Sequence, residues 1–328
     1  MLKRQLCEAS FTWRLACEGP LLIADGRYAK TQKDKERPQK VFISRADAKV
    51  LEQTIGARAE DLLKLPFYVP GTSLRGPFRA QAERILRSLA PADALAPATA
   101  CDPFDMEEDS ARSCSKRLDR TPAPFPYAAA CPACKLFGCT ATASRIQFSD
   151  ADIPLRPGLR SVYRDMIGID RFTGGVHSGA NMRLHVLEGA EFTTTVAVRN
   201  FELWQLGLLA YVFQDFADGQ VALGFGKSKG FGQVRGKVES IALAYPRGKE
   251  GGKIHHLGSL ASAEERARYG LGGEEPPACA LARLQVGGLA LYESFAVQDL
   301  AGFWQSTAAA FNARAEAGFT VAAVAASA

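Results

Sequence analysis

The chain has 328 residues, 47% of them hydrophobic and 23% charged. That balance excludes intrinsic disorder, collagen-like repeats and a small disulfide scaffold, and at ~150 residues per domain the length allows two domains or one large elaborated one. Lys and Arg number 40 against 35 Asp and Glu, and the net charge of +5 is a mild excess compatible with a polyanionic partner.

No run of ~18 apolar residues is present, so no membrane span is expected. The segment Met1-Leu2-Lys3-Arg4-Gln5 lacks the apolar stretch of a secretory signal. The expectation is a cytoplasmic protein. In that reducing setting its eight cysteines read as thiols or metal ligands rather than disulfides.

Residues 4–16 alternate, with Leu6, Phe11, Trp13 and Leu15 among polar neighbours, and predict a half-buried strand. Gly19-Pro20 breaks it, and a short strand is expected at Leu22-Ile23. Residues 27–45 carry seven basic side chains and read as a solvated or phosphate-facing loop, followed by a short strand at Val41-Phe42-Ile43. After Pro70-Gly71, Thr72 or Ser73 is placed to cap a helix running to about Leu89. Phe78, Ala82, Ile85 and Leu89 are expected on its core face. Arg75, Arg79, Glu83 and Arg87 stripe another face. Cations in the first turns, free N–H groups and the helix dipole together suit phosphate.

Residues 91–145, rich in Pro, Ala and Cys, read as an insertion. A long loop or twisted hairpin is expected over 160–185. Phe192, Thr194, Val196 and Val198 alternate as a strand. An apolar helix should follow from Phe201 to Phe216, with Leu203, Leu206, Ala210, Phe213 and Ala217 on one face. Val221-Ala222-Leu223 and Val234 to Leu243 are further strands. Residues 246–277 read as a surface loop containing His255-His256, and 296–316 as a helix. No internal repeat is found. The order favours an α+β fold with antiparallel sheet over a doubly wound parallel one.

Two motifs stand out. Cys131-Pro132-Ala133-Cys134 is a knuckle, and Cys101 and Cys114 are the natural second pair; four thiolates suit a structural Zn2+ and leave no open coordination position. A redox reading of the knuckle lacks a strand–helix setting. The loop Gly224-Phe225-Gly226-Lys227-Ser228-Lys229-Gly230-Phe231-Gly232 contains Gly-Lys-Ser, but Val221 stands where a P-loop needs glycine. What remains is a basic glycine-rich loop whose backbone can approach an anion. Phe225 and Phe231 read as packing residues more readily than base-stacking ones. Acid–base chemistry is poorly represented: the chain has four histidines, none at metal-site spacing, and no paired-carboxylate signature.

Four segments in order, Tyr68-Val69-Pro70-Gly71-Thr72-Ser73-Leu74-Arg75-Gly76, Cys131 to Gly138, Asp170-Arg171-Phe172-Thr173-Gly174-Gly175 and Leu223 to Gly232, resemble the RAMP superfamily. The likeness is to the backbone subunit of type III CRISPR effector complexes, of a type III-D or type VII kind, and covers roughly residues 5–243. It implies a ferredoxin-like, RNA-recognition-motif-like core (1–90 and 145–245), a thumb hairpin at 164–188, a zinc-binding insertion (91–144) and a C-terminal extension (246–328). It implies copies stacked along guide RNA, target RNA paired to that guide, and other effector subunits alongside. Ser73, Arg75, Arg79, Arg171, Thr173, Lys227, Ser228 and Lys229 are the implied RNA contacts. Cleaving relatives carry an aspartate before a short apolar strand, often as Arg-Pro-Asp. Here that stretch is Arg37-Pro38-Gln39, and an amide cannot serve as a carboxylate base or metal ligand. Asp25 and Asp34 are the acidic residues left as candidates. The implication is a subunit that holds RNA and leaves cutting to a separate nuclease; the alternatives are a target-RNA endonuclease on the same scaffold, and a zinc-ribbon adaptor for other proteins.

Overall fold

The computed structural model describes residues 4–28, 37–55, 58–89, 99–105, 112–120, 126–249, 251–285 and 291–319. Strand β1 (Glu8–Cys17) forms where the sequence alternates, and Ala9, Phe11, Trp13 and Leu15 are fully buried. Helix α1 (Ala48–Thr54) and strand β2 (Tyr68–Val69) lead into α2 (Gly71–Ser88). Three short helices follow: α3 (Cys114–Arg120), α4 (Pro126–Ala129) and α5 (Pro132–Phe137). After them come β3 (Ile146–Phe148), β4 (Ala151–Asp152) and a long pair, β5 (Arg160–Ile169) and β6 (Val176–Glu188). Strand β7 (Glu191–Arg199), helix α6 (Leu203–Ala217) and strand β8 (Val234–Pro246) come next. The chain then forms α7 (Leu257–Leu260), α8 (Ala263–Tyr269), β9 (Leu281–Arg283), β10 (Tyr292–Val297) and α9 (Leu300–Glu316).

The main sheet has the order β3-β7-β1-β8-β10-β9 and is antiparallel at every pairing. Strand β2 pairs with β4, and β5 with β6, as separate two-stranded sheets. The fold is therefore mixed α+β with antiparallel sheets, as the element order predicts. Trp13 anchors the core: its ring meets Phe78, Phe213 and Phe216 edge-on at centroid distances of 5.6, 5.4 and 4.8 Å. Those partners come from α2 and α6, so both helices lie on one face of the sheet.

Several sequence expectations shift. The core face of α2 is Leu74, Phe78, Ala82 and Leu86, while Ile85 is half-buried and Leu89 exposed. Neither Thr72 nor Ser73 caps that helix. It begins at Gly71, whose N–H donates to the Asp150 carboxylate at 2.9 Å. Helix α6 is buried on nearly every side, because the sheet lies on one flank and α9 on another. The segment expected as a loop from 246 holds α7 and α8, and His256 is buried there, its Nε2 2.9 Å from the Glu274 carbonyl. The chain beyond residue 246 adds β9 and β10 to the sheet edge and docks α9 on α6.

The α6–α9 contact depends on Gly207, where any Cβ would collide with the Thr307 carbonyl. Alanine normally favours a helix over glycine by about 1 kcal/mol. Gly207→Ala is nevertheless expected to destabilise the fold by about 1–3 kcal/mol, since the helices must move apart. Urea unfolding followed by circular dichroism tests this; a gain in stability would mean α9 is not seated as described.

Candidate RNA interface and metal centre

The glycine-rich loop is clamped to the segment after β1. Phe225 N–H donates to the Leu22 carbonyl at 2.8 Å, and Gly232 N–H to the Pro20 carbonyl at 2.8 Å. At Gly224 and Gly232 a side chain would strike the Leu22 and Leu223 carbonyls, and both glycines have φ in the left-handed region. Between Gly226 and Gly230, also left-handed, Lys227-Ser228-Lys229 makes one 3₁₀ turn with all three side chains exposed. Phe231 is buried and Phe225 half-buried, as packing residues would be, and Lys40 Nζ stands 5.3 Å from the Phe225 ring centre. The loop thus presents cations on a backbone that cannot easily collapse onto them.

The same segment carries the base of the β5–β6 hairpin. Leu21 and Leu187 exchange backbone hydrogen bonds at 2.8 and 3.0 Å. Residues 37–44 run alongside: Ile43 N–H donates to Ile23 O, and Asp25 N–H to Val41 O. At the hairpin's far end the Asp170 carboxylate accepts from the N–H groups of Thr173 and Phe172, which holds its pKa below the ordinary value and shapes the turn. Arg171, Phe172 and Thr173 are exposed, Phe172 completely. Ile167, Ile169 and Val176 are exposed near it. Sequence reading named Arg171 and Thr173 and missed this apolar tip. Its signal was available in an isoleucine pair, a phenylalanine and a valine flanking a Gly-Gly turn.

The acidic candidates fare differently. Asp34 lies outside the described residues. Asp25 has a fully buried carboxylate that accepts from Arg27 Nε at 3.0 Å, Arg27 Nη2 at 2.7 Å and Arg27 N at 2.9 Å. Burial would raise its pKa, but these hydrogen bonds outweigh burial and hold it below the ordinary value. Gln39 is built into the hairpin. Its N–H donates to Arg183 O at 2.7 Å, its Oε1 accepts from Arg183 N at 2.5 Å, and its Nε2 donates to Asn181 O at 3.2 Å. A carboxylate could accept the second bond but not donate the third.

Arg75 and Arg79 of α2 face the cysteine-bearing segment. Arg75 Nη2 donates to the Phe137 carbonyl. Arg79 Nε bonds Glu83 at 2.7 Å, its Nη1 the Gly138 carbonyl at 3.2 Å, and its Nη2 approaches Cys134 Sγ at 3.8 Å. Ser73 sits in the first turn of α2, half-buried.

The four cysteines do converge. The Sγ atoms of Cys101, Cys114, Cys131 and Cys134 all lie within 4.8 Å of one another, and all four residues are buried. A tetrahedral ion with Zn–S near 2.3 Å requires S–S edges of about 3.8 Å. Backbone N–H groups of Cys101, Cys131 and Cys134 point at the Sγ atoms of Cys131, Cys114 and Cys131, at 3.4, 3.3 and 3.4 Å. Arg117 stands 3.7 Å from Cys114 Sγ. Four thiolates on a divalent ion leave two surplus negative charges, and the two guanidinium groups and the N–H donors offset them. The group can hold a metal ion, and an all-sulfur tetrahedral set is consistent with zinc. Cys139 lies outside this foursome, half-buried.

The RAMP superfamily profile matches residues 17–235, more than half of the chain. The chain belongs to the RAMP superfamily. Membership carries a CRISPR-associated, RNA-binding function. No individual curated protein matches the chain. No helix among the described residues is long and apolar enough to cross a membrane.

His185 makes the hairpin base sensitive to pH. Its Nδ1 accepts from Phe42 N–H at 3.2 Å, so Nε2 carries the proton and donates to Ser161 Oγ at 2.8 Å. Burial lowers its pKa from 6.5 to about 4. Between those values the unfolded chain binds a proton that the folded chain refuses, so stability falls as pH drops from 6.5 towards 4, by at most about 3 kcal/mol. Urea midpoints at pH 7 and pH 5 for wild type and His185→Gln check this: the variant should lose less on acidification.

Proposed function

We propose that this RAMP protein is a backbone subunit of a type III-like CRISPR effector, of the III-D or VII kind, that grips guide RNA by its phosphates and leaves target cleavage to a separate nuclease. The observation that carries the reading is the Lys227-Ser228-Lys229 turn, exposed between two left-handed glycines and fastened through Pro20 and Leu22 to the base of the hairpin. A turn so held can lie against a sugar–phosphate chain without reading bases, which leaves sequence recognition to guide–target pairing. The strands β1, β3, β7 and β8 with helices α2 and α6 follow one another as βαββαβ in the order β3-β7-β1-β8. That connectivity supports a ferredoxin-like core.

The hairpin then acts as the thumb. Its exposed Phe172 and the isoleucines beside it suit insertion beside unstacked bases, and Arg171 and Thr173 suit the flanking backbone. Copies stack along the guide, and target RNA pairs on the open side. The four-cysteine site takes zinc and fixes the insertion against α2. Arg75 and Arg79 support RNA binding chiefly by orienting that junction, since their donors are engaged within the chain.

The non-cleaving part of the reading rests on Gln39 and on Asp25, whose carboxylate is enclosed by Arg27. In the assembled ribonucleoprotein with magnesium or manganese, a paired target RNA should remain intact. Regularly spaced cuts lost in Asp34→Ala would overturn that part and make the subunit an endonuclease.

Lys227→Ala combined with Lys229→Ala should weaken guide binding equally for unrelated sequences. It should also reduce the slope of log affinity against log salt by about 1–1.5. Filter binding at several salt concentrations measures both; an unchanged slope would remove the loop from the interface. As purified, the protein should carry about one zinc per chain by elemental analysis, falling to near zero in Cys131→Ser with Cys134→Ser. In that variant amide exchange should quicken over residues 99–139 while β1 and β7 stay protected.

A further inference from the structure

The cations nearest the glycine-rich loop in the fold differ in what they are bound to. Arg27 is paired with Asp25, Arg183 with Asp165 and Arg235 with Glu18. Arg75 and Arg79 donate to main-chain carbonyls of the cysteine-bearing segment. Among the described residues, no carboxylate forms an ion pair with Lys227, Lys229 or Lys40. Lys40 is not one of the contacts that the sequence implies, and it comes from a different part of the chain.

The backbone around Lys40 is fixed on both sides. Its carbonyl accepts from His185 N–H at 2.9 Å. Before it, Gln39 N–H donates to Arg183 O at 2.7 Å, and after it the Val41 carbonyl accepts from Asp25 N–H at 2.9 Å. Its side chain reaches the glycine-rich loop, where Nζ stands 5.3 Å from the centre of the Phe225 ring. That ring is half-buried, two residues before Lys227, and its own N–H is tied to Leu22 O at 2.8 Å. An aromatic face attracts an ammonium without cancelling its charge. The ring therefore orients Lys40 and leaves the charge to an anion. A lysine stem otherwise loses much rotamer freedom when its head is bound, and a stem held in advance loses less.

We propose that Lys40 is a third phosphate contact, aimed by Phe225, and that the RNA backbone passes from the Lys227-Ser228-Lys229 turn over Lys40 to the base of the β5–β6 hairpin. The proposal rests on the reading of the loop as an RNA grip and extends it to the stretch 39–44. A lysine suits such a contact, because its ammonium is a point charge that holds a phosphate without reading a base. Phe225 acts through Lys40 as a positioning residue.

The test is anisotropy of a fluorescein-labelled oligouridylate with the full-length protein at several salt concentrations, with urea midpoints confirming that each variant is folded. Lys40→Gln should weaken binding about fivefold and reduce the slope of log affinity against log salt by about 0.7, the share of one phosphate on a single strand. Lys40→Arg should keep the wild-type slope. Phe225→Leu should weaken binding about twofold with the slope kept, and adding Lys40→Gln to it should give binding no weaker than Lys40→Gln alone. Losses that multiply in the double variant would overturn the aiming role and leave Phe225 a packing residue. The protein carrying Lys227→Ala with Lys229→Ala is measured alongside. Should it bind more weakly while Lys40→Gln binds as wild type, the proposal falls and the loop reading stands. Should neither variant change affinity or slope, both fall.

Discussion

One short extended segment, Pro20 to Asp25, holds together the glycine-rich loop, the base of the hairpin and the chain that carries Gln39. Its carbonyls at Pro20 and Leu22 receive the glycine-rich loop. Leu21 exchanges hydrogen bonds with Leu187 at the base of the hairpin, and Ile23 and Asp25 bond the extended stretch 39–44. These are backbone bonds in a largely buried setting, where a lost partner costs more than a made bond contributes. Gly224 permits this approach, because a Cβ there would meet the Leu22 carbonyl, and Gly232 lets the loop close on itself, because a Cβ there would meet the Leu223 carbonyl. The loop's cations are therefore positioned by main-chain geometry and not by their own side-chain contacts, which leaves them free for a ligand.

Many of the described arginines are engaged within the chain and one lysine, Lys135, is buried, whereas Lys227 and Lys229 are exposed. Guanidinium groups with forked donors are used inside the molecule: Arg79 on Glu83 and Gly138, Arg27 on Asp25 and Ser44, Arg145 on Asn200 and over the Tyr127 ring at 3.7 Å. Lysines, whose ammonium is strongly hydrated and cannot match two carbonyls at once, stand at the surface of the loop. Net charge therefore overstates the cation available to a polyanion, and the surface lysines are a better guide to where phosphate can lie.

The sheet strands and the long helices were legible because burial on one face imposes a period. Phe11, Trp13 and Leu15 in β1, and Phe192, Val196 and Val198 in β7, carry it openly. The thiolate cluster was legible because cysteines in a reducing setting have few other uses, and Cys101, Cys114, Cys131 and Cys134 do meet. What could not be read is whatever depends on a distant partner. Arg75 and Arg79 lie on a polar stripe of α2 that looks solvent-facing until the cysteine-bearing segment folds across it. On sequence alone helix α2 offers its N-terminus to phosphate, but Asp150, 79 residues away in the chain, takes the Gly71 N–H. Strands β9 and β10 are too short for a periodic signal; they exist because β8 offers an edge, and His256 is buried because Phe201 and Glu274 close around it.

The same dependence on partners bears on catalysis. An aspartate becomes a base or a metal ligand only if its lone pairs are left over after the fold has used what it needs. Asp25 keeps its charge but spends it on Arg27, and that pair in turn bonds Ser44 and fixes the strap beside the hairpin. Gln39 uses both ends of its amide to hold the main chain of β6. In both cases a polar group has been committed to rigidity. A surface that must keep a polymer in register gains from such commitment, since each immobilised strap and turn reduces the ordering left to be done when RNA arrives. The cost is chemical, because a side chain that locks the scaffold is no longer available to move a proton.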